Sequence, residues 1–459
     1  MKESSYRLEK DSMGTVQVPE WAKWGAHTQR ALENFSVSPY RIHPYLRNAL
    51  ASIKAAAAEA HRSAGVFSDD VAAAIQRAAQ EVADGLLDAH FPLDVFQTGS
   101  GTSWNMNMNE VLAHRANEFL PSGKSIHPND HVNRGQSSND VMPAAANIAT
   151  RQLAGEVCER VLALSQAFAK KARIYGDDLK LGRTHLQDAV PMKVGQEFAA
   201  WAEQIRRSGE RISQQLSALE ELPLGGTAVG TGLNSSRKWA EQTVRLISES
   251  TSIAFRLSDN PFVQISARDE QLALMAALNG TAAVVMKIAQ DLRLLASGPR
   301  AGFGELRLPE LQPGSSIMPG KVNPVIPEMV IQAAAFIMGK QTSVSIAAHN
   351  GPLQLNIMQP LIAHEVLTSL DLLKSVSERF EKGCVEGLSV PTEHTAGAIE
   401  KSLAIITPLA VRIGYDAAAE LAHRAYEEGK TVRAVVLEAE LLSEAEVDAV
   451  LDPRNMCGE

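Results

Sequence analysis

The sequence contains few of the residues that mark several common protein classes. Cysteine occurs three times in 459 residues, at Cys158, Cys384 and Cys457. These are too few and too scattered for a disulfide framework or a C-x-x-C metal knuckle. Aromatic residues make up only 5% of the chain, and no lysine- or arginine-rich run accompanies the net charge of −9. Neither a nucleic acid nor an anionic membrane is therefore an expected partner.

The chain also lacks the apolar runs that export and membrane insertion require. Residues 1–14 are polar and charged where a signal peptide would need an apolar stretch. No window approaches the roughly eighteen apolar residues of a membrane span. Because the scarcity of cysteine also suits a reducing compartment, the sequence predicts a cytoplasmic protein.

What the sequence does contain is helical periodicity over long segments. In Met192–Glu221, apolar side chains recur at three- and four-residue spacing, with Gly209 at the one skipped position. At about 1.5 Å per residue this segment predicts a helix on the order of 45 Å long, which needs helical partners. Glu270–Ser297, Asp140–Tyr175 and Pro360–Cys384 are further long candidates. These lengths predict a mainly α protein whose helix bundle continues across subunits, with a monomeric bundle as the alternative.

The length and the changes in composition predict the domains. At roughly 100–200 residues per domain, a chain of this length suggests two to four of them. We predict an amino-terminal helical domain over residues 1–134, a central long-helix bundle over 135–389 and a small carboxy-terminal helical domain over 390–459.

The most informative loop is glycine-rich and joins two hydroxyls to a cation and an amide. It reads Gly314-Ser315-Ser316-Ile317-Met318-Pro319-Gly320-Lys321-Val322-Asn323-Pro324. Adjacent hydroxyls between glycines, followed by lysine and asparagine, supply one half of an anion site. An ordinary surface turn would also explain the glycines and prolines, so the loop alone leaves both interpretations open.

Six further motifs accompany this loop in order along nearly the whole chain: Gln97–Thr102, Asn105–Glu110, His127–Asp130, Ser137–Asp140, Gly182–Ala189 and Gly225–Gly232. Together they resemble the fumarase/aspartase superfamily, whose lyases eliminate across a carbon–carbon bond beside a carboxylate. The resemblance implies the fold of that superfamily, in which a central long-helix bundle forms a twenty-helix core in a homotetramer. It also implies that each active site is assembled from three subunits.

The resemblance implies four catalytic residues. Ser315 matches the family's catalytic base, and Lys321 with the loop amides would stabilise its alkoxide. His185 and Glu328 match the family's His–carboxylate pair, in which the carboxylate fixes the imidazole tautomer. We expect this pair on the side of the water or leaving group. For Glu328, an acid interacting with the dipole of a helix that starts after Pro324 is the alternative.

The chemistry explains the residue types expected around the substrate. Removing the proton beside a carboxylate creates a dianionic aci-carboxylate, which needs neutral and cationic donors aimed at its oxygens. The residues expected to bind substrate are Ser100, Thr102, Ser137, Ser138, Asn139, Thr184 and Asn323. Helix capping before Asp140 is the alternative for the serines and Asn139, and it can coexist with substrate binding.

A second carboxylate site is also implied by the resemblance. His127, Asn129 and Asp130 resemble the family's accessory site near the surface. Lys124 precedes them where some relatives carry arginine, which disfavours bidentate carboxylate binding. Trp104 stands where a smaller residue is expected, and it either reshapes the pocket wall or packs in the core.

No cofactor is expected. No cluster of Cys, His, Asp and Glu has metal-ligand spacing, and no G-x-G-x-x-G or P-loop follows a strand. The motifs therefore exclude the iron–sulfur kind of fumarase. The reaction implied is that of a class II fumarase, the reversible anti addition of water to fumarate to give (S)-malate. The partners expected are a small dicarboxylate substrate and copies of the same chain.

Aspartate ammonia-lyase is the alternative within the superfamily. Ser137–Asp140 and Gly225–Thr227 resemble fumarases, whereas Ala189–Met192 and Leu353–Pro360 look more like aspartases. A protein that kept the fold after losing catalysis is disfavoured because the residues that match the catalytic machinery are present. The balance of motifs favours fumarate hydration.

Overall fold

A computed structural model of the chain describes residues 5–458 and consists mainly of α-helices. In this part of the chain the helices are α1 (Ala26–Asn34), α2 (Pro44–Ser63), α3 (Asp69–Ala83), α4 (Thr102–Asn117), α5 (Ser138–Ile174), α6 (Val194–Ser213), α7 (Leu216–Leu219), α8 (Arg237–Thr251), α9 (Pro261–Ser266), α10 (Asp269–Leu295), α11 (Val325–Ala348), α12 (Gln359–Phe380), α13 (Thr392–Ile399), α14 (Ala410–Ile413), α15 (Tyr415–Glu428), α16 (Val432–Glu438) and α17 (Glu444–Val450). Shorter 3₁₀ or π turns lie at Asp88–His90, Pro128–Val132, Glu381–Val385, Leu403–Leu409 and Pro453–Met456. The mainly α fold predicted from the sequence is confirmed.

Three small two-stranded sheets accompany the helices in the described residues. They pair β1 (Tyr6–Asp11) with β2 (Gly14–Pro19), β3 (Leu179–Thr184) with β4 (Gln187–Lys193), and β5 (Glu221–Leu222) with β6 (Arg256–Leu257). The first two pairs are antiparallel hairpins and the third is parallel. The Gly182–Ala189 motif lies within the β3–β4 hairpin and forms its tight turn together with the adjoining ends of both strands.

Three of the four long helices lie where the periodicity placed them, and one is shorter than predicted. The segment expected as one helix over Met192–Glu221 forms α6, a turn at residues 214–215, and the short α7. Met192 and Lys193 instead pair with β3, which delays the helix start to Val194. The 20 residues of α6 span about 30 Å, so the predicted length of about 45 Å was wrong. The predicted apolar face is nevertheless buried at Val194, Phe198, Trp201 and Ile205.

The described chain forms two compact units. The first contains the described residues up to 158 together with 210–282 and 336–374, and the second contains 159–209, 283–335 and 375–458. Every internal boundary between these ranges falls inside a long helix: α5, α6, α10, α11 or α12. The three domains expected from the sequence stay a prediction.

In the second unit, an apolar cluster joins the carboxy-terminal helices to the β3–β4 hairpin. Leu181 of β3 is buried among side chains that include Ile405, Val435 and Leu451. A separate aromatic group packs three long helices together, with the ring of Phe168 on α5 lying 5.9 Å from both Trp201 on α6 and Phe380 on α12. These contacts fix the hairpin and the helices around it.

One helix corrects the expectation that no segment is apolar enough to cross a membrane. Within the described residues, α10 alone has the length and composition for a span, with a mean hydropathy of 1.7 over an 18-residue window. Its side chains at Leu274, Leu278, Ala282 and Leu292 are fully buried against the protein. A buried core helix meets the same criterion of length and hydropathy, so this finding is weak support for a membrane span.

Candidate active site

The predicted site residues divide between the two units. The first unit contains Ser100, Thr102, His127, Asn129, Asp130, Ser137, Ser138 and Asn139, and the second contains Thr184, His185, Ser315, Lys321, Asn323 and Glu328. Most of them lie at the first turn of a helix or in a tight turn. Unpaired backbone N–H groups are available at such places to bind anions.

The loop before α11 presents the Ser315 hydroxyl to two backbone donors. Its Oγ accepts hydrogen bonds from the N–H groups of Ile317 at 3.2 Å and Met318 at 3.0 Å. A serine hydroxyl is a poor base until its alkoxide is stabilised, and hydrogen bonds become stronger when the acceptor is charged. Because Lys321 adds a cation to the same loop, this geometry favours the predicted role of Ser315 as the base.

Backbone and amide hydrogen bonds close this loop. The Gly314 N–H donates to the carbonyl of Lys321 at 2.8 Å, and the Asn323 Nδ2 donates to the carbonyl of Gly314 at 2.6 Å. A Cβ at Gly314 would lie 2.6 Å from the Lys321 carbonyl oxygen, so the close approach requires glycine. Asn323 therefore shapes the loop, and its direct contact with substrate stays a prediction.

The imidazole of His185 lies at the exposed tip of the β3–β4 hairpin. The two turn residues, His185 and Leu186, have φ angles of 57° and 61°, as a two-residue hairpin turn of type I′ requires. Residues other than glycine adopt this region infrequently, and those that do are enriched at functional sites. Thr184, the neighbouring predicted binding residue, is the last residue of β3 and is also exposed.

A buried ion-pair network anchors the base of this hairpin. The Glu305 carboxylate, 3% exposed, lies 2.5 Å from the Arg183 Nη1 and 3.1 Å from the Lys180 Nζ. Lys180 also pairs with Glu197 on α6 at 2.7 Å. The Arg183 guanidinium lies 4.5 Å from the centroid of the Phe303 ring. The sequence analysis missed this network, since nothing in the sequence connects Glu305 to the hairpin.

The expected pair of His185 and Glu328 is not formed within one chain. Glu328 lies in the first turn of α11, where a carboxylate interacts favourably with the helix dipole. In residues 5–458 no hydrogen bond or ion pair joins its side chain to His185. The position at the start of the helix agrees with the alternative considered for Glu328.

Asp140 holds the segment Ser137–Asn139, which is predicted to bind substrate. Its carboxylate accepts hydrogen bonds from the N–H groups of Ser137 at 2.9 Å, Gly225 at 3.0 Å and Thr227 at 2.9 Å. The residue is fully buried, and burial raises the pKa of Asp140 to about 6. One carboxylate thus ties the start of α5 to the glycine-rich segment at 225–227. The sequence analysis treated Asp140 only as the residue that follows a cap.

The three polar residues before Asp140, all predicted to bind substrate, form hydrogen bonds within the chain. The Ser137 Oγ accepts from the Asn139 N–H at 3.2 Å, and the Asn139 Nδ2 donates to the Ala228 carbonyl at 2.8 Å. The Ser138 Oγ accepts from the Asn105 Nδ2 at 3.1 Å. The capping interpretation is therefore confirmed for Ser137. Because the Ser138 oxygen is the acceptor in its hydrogen bond with Asn105, the Ser138 hydroxyl proton is available for donation.

The start of α4 brings two more predicted binding residues together. The Ser100 Oγ and the Thr102 Oγ1 lie 2.7 Å apart, and Thr102 is the first residue of the helix after Gly101. Trp104 is 2% exposed, and its backbone N–H donates to the Gln97 Oε1 at 3.1 Å. Of the two roles considered for Trp104, the structure shows core packing.

The predicted accessory residues lie on one turn. His127 precedes the π turn Pro128–Val132, and its Nδ1 accepts from the N–H groups of Asn129 and Asp130, both at 3.3 Å. Lys124 forms an ion pair with Asp70. The cation expected beside this site is therefore already engaged by a carboxylate.

A surface cavity links the accessory turn to the start of α5. Its volume is about 610 Å³, and its lining includes Asn129, Asp130, Ser137, Thr227 and Ala228. Two residues of the predicted accessory turn and one residue predicted to bind substrate thus line one cavity. In the part of the chain that the structure describes, no group of three or more His, Cys, Asp or Glu side chains is placed to hold a metal ion.

Comparison with protein families assigns the class of protein first. The family model described as "Lyase" matches residues 14–339, and the model described as "Fumarase C C-terminus" matches residues 405–458. Because the first model matches more than half of the chain, the chain belongs to this lyase family.

Individual relatives narrow the assignment. The chain is 45% identical to "Fumarate hydratase class II" of Xylella fastidiosa (strain 9a5c), covering 98% of this chain and 94% of the relative. It is 47% identical to the protein of the same name from Halobacterium salinarum, with 98% and 97% covered. The crystal structure of the class II fumarase of Schistosoma mansoni matches with a TM-score of 0.94 at 37% identity, covering 98% of this chain and 99% of that one. The chain therefore belongs to the class II fumarate hydratase family.

Proposed function

We propose that this protein is a fumarate hydratase, which interconverts fumarate and (S)-malate without a metal or organic cofactor. Family membership over nearly the whole chain supports the assignment. The observation that carries the mechanism is the Ser315 hydroxyl, whose oxygen accepts two backbone N–H hydrogen bonds in the loop that also contains Lys321. A stabilised alkoxide at this position has the chemistry needed to remove a weakly acidic C–H proton.

Dehydration of malate proceeds in two steps. In the first, the Ser315 alkoxide takes a proton from C3, and the C–H electron pair moves into the adjacent C4 carboxylate to give the aci-carboxylate. In the second, that pair forms the C2=C3 double bond while the C2–O bond breaks. The departing oxygen takes up a proton and leaves as water, and the Ser315 proton returns to solvent. Hydration of fumarate is the reverse.

The other predicted residues have roles that follow from these steps. Lys321 and the donors of Thr102, Ser138 and Asn139 stabilise the two negative charges that develop on the aci-carboxylate. Ser100, Ser137, Thr184 and Asn323 complete the substrate site. We place His185 and Glu328 on the side of the departing water, where the carboxylate sets the orientation of the imidazole. His127, Asn129 and Asp130 form the accessory dicarboxylate site.

The active form proposed is a homotetramer with shared active sites, built around a twenty-helix core. In a single chain, α10 exposes a line of small residues at Ala273, Ala276 and Ala283, and a Cβ at Gly280 would have no neighbour within 4 Å. Phe336 on α11 is 49% exposed. Such faces allow close helix packing between subunits. In the tetramer, His185 would contact Glu328 of another subunit. This would explain why no hydrogen bond or ion pair joins the two side chains within one chain.

The cellular setting proposed is the cytoplasm, with the reaction serving the tricarboxylic acid cycle. The small number of cysteines, which suits a reducing compartment, supports this location. Fractionation of cells that express the protein at its native level would test it, and recovery with the membrane fraction would contradict it.

Aspartate ammonia-lyase remains the competing activity. The segment Leu353–Pro360, which resembles aspartases, packs directly on the first unit's binding loop, since the Gln359 N–H donates to the Gly99 carbonyl at 2.9 Å. The two activities are separated by supplying malate or aspartate to the purified protein and following fumarate by ultraviolet absorbance. Fumarate from malate supports the proposal, and fumarate from aspartate at a comparable rate would overturn it.

A further inference from the structure

A fully buried lysine lies beneath the substrate-binding segment of the first unit. Lys54 is on α2 and has no solvent exposure. Its Nζ donates hydrogen bonds to the Asn133 Oδ1 at 3.0 Å and to the Gln136 Oε1 at 2.9 Å. Both acceptors belong to the short loop that leads into Ser137 and α5. Burying a lysine costs free energy unless its ammonium group is hydrogen-bonded. The two hydrogen bonds offset this cost and connect α2 to the loop.

The hydrogen bonds continue from this lysine to a predicted substrate-binding side chain. The Asn105 Nδ2 donates to the Asn133 Oδ1 and to the Ser138 Oγ, both at 3.1 Å. Lys54 and Asn105 therefore share the Asn133 oxygen as an acceptor. Through this shared atom, the position of the ammonium group is coupled to the orientation of Ser138.

The surroundings of Lys54 contain one charged group. The amides of Asn105 on α4 and of Asn133 and Gln136 in the loop are neutral. The carboxylate of Asp140 on α5 is the only charge that acts on Lys54 among the described residues. Burial lowers the pKa of Lys54 to about 7 and raises that of Asp140 to about 6. Lys54 thus changes charge near neutral pH, and its charge-assisted hydrogen bonds weaken as it does so.

We propose that Lys54 is a positioning residue for substrate binding, which holds the loop of Asn133 and Gln136 and, through Asn105, orients the Ser138 hydroxyl. The proposal rests on the proposed function, because it assigns Ser138 to the substrate carboxylate. Lys54 itself contacts no substrate. Its effect is expected on affinity, since the base Ser315 lies on a different loop.

The direct test replaces Lys54 by methionine, which keeps the length of the side chain and removes the donors. Lys54→Met should raise KM for malate at least about tenfold while changing kcat by less than about threefold, which is the signature of lost binding. Lys171→Met is the matched control. Lys171 is also buried and donates to two carbonyls, those of Glu386 at 2.9 Å and Leu388 at 2.6 Å, but it is not connected to the binding segment. The KM of Lys171→Met for malate should stay within twofold of the wild-type KM.

The pH profile distinguishes positioning from a purely structural role. In the wild type, KM should rise as the pH increases through about 7, because Lys54 loses its proton there. In Lys54→Met, KM should be high already and flat across this window. A variant with a wild-type KM and a wild-type pH profile would overturn the proposal.

Stability gives a readout that does not depend on activity. The pKa of Lys54 in the folded protein, about 7, lies below its ordinary value of 10.5. Between these values the unfolded chain binds more protons, so the lysine makes the free energy of unfolding rise with pH from about 7 to about 10. Urea unfolding should show this rise in the wild type, and Lys54→Met should lack it. If the free energy of unfolding rose equally with pH in the two proteins, Lys54 would not be a buried group that titrates in this range.

Two further measurements keep the test decisive. If Lys54→Met does not fold, Gln136→Leu removes one acceptor from a half-buried position and should raise KM about threefold or more, whereas an unchanged KM would overturn the proposal. If the wild type forms no fumarate, the proposed function fails. The role of Lys54 is then decided by calorimetric binding of succinate, which should weaken about tenfold in Lys54→Met, and equal affinity would overturn it.

Discussion

At the scale of single residues, the proposed chemistry centres on the Ser315 hydroxyl. Its oxygen accepts hydrogen bonds from two backbone N–H groups in a loop closed by Gly314 and Asn323. The motif predicts the residue from the sequence alone. The sequence analysis also expected backbone amides of the loop as donors. Which two amides donate could not be predicted, because that depends on the loop's backbone conformation.

Replacing Ser315 by alanine tests the assignment of the base. Ser315→Ala should lower kcat at least about a thousandfold, on the order of 4 kcal/mol in the barrier, because it deletes the proton acceptor. The change removes one half-buried hydroxyl whose two hydrogen bonds lie at the surface, so the melting temperature should change little. Ser316→Ala is the matched control, since Ser316 is the adjacent exposed hydroxyl, and it should keep near-native activity. A Ser315→Ala variant with near-native kcat would exclude Ser315 as the base.

Other residues show why part of the site was missed. Asp140 ends the Ser137–Asp140 motif and Lys54 lies outside every motif, and neither periodicity nor a motif indicates that both residues are fully buried. The lack of a hydrogen bond or ion pair between His185 and Glu328 in one chain was also not predictable, since a motif shows that both residues are present but not where the fold places them.

At the scale of elements, sequence patterns predicted the type of each element better than its length. The apolar periodicity placed α5, α10 and α12 correctly because these helices are long and their buried faces are continuous. It overestimated α6, since strand pairing at Met192 and Lys193 competes with the helix. The turn at His185 and Leu186 was missed because neither residue is one that usually marks a hairpin turn.

The contact between two loops near α4 gives a prediction at this scale. A Cβ at Gly99 would lie 1.9 Å from the carbonyl oxygen of Ile357, so Gly99→Ala must displace the 351–359 segment or the loop that carries Ser100. The expected cost is roughly 1–3 kcal/mol of stability, with a fall in kcat/KM, measured by urea unfolding and the fumarate assay. Gly397→Ala, in α13, has no neighbour within 4 Å and should be neutral or stabilising by about 0.5–1 kcal/mol. Equal effects of the two substitutions would refute the close packing.

At the scale of the whole molecule, the main prediction concerns assembly. The small residues exposed along α10 are interpreted as a packing surface for another subunit. Light scattering should give the mass of four chains of 49.5 kDa each. A stable and fully active monomer would contradict the interpretation.

A bulky residue on this surface tests its role. Within one chain, a side chain at Gly280 meets nothing within 4 Å, so Gly280→Leu should leave the subunit folded and still block a neighbouring helix. The variant should lose the tetramer and most of its activity, whereas Gly397→Leu, at an equally open position of α13, should keep both. Retention of a fully active tetramer by Gly280→Leu would show that α10 does not pack there.

The central claim is that this lyase acts on malate and fumarate. The most direct measurement is the initial rate of fumarate formation, followed by ultraviolet absorbance, when the purified protein is given malate or aspartate in separate reactions. A neutral leaving group needs a proton and hydrogen-bond donors such as the hydroxyls of Thr102, Ser137 and Ser138, whereas an ammonium group needs acceptors. We expect malate to be preferred by at least several hundred-fold in kcat/KM, on the order of 4 kcal/mol. Release of fumarate and ammonia from aspartate as fast as malate is dehydrated would contradict the claim.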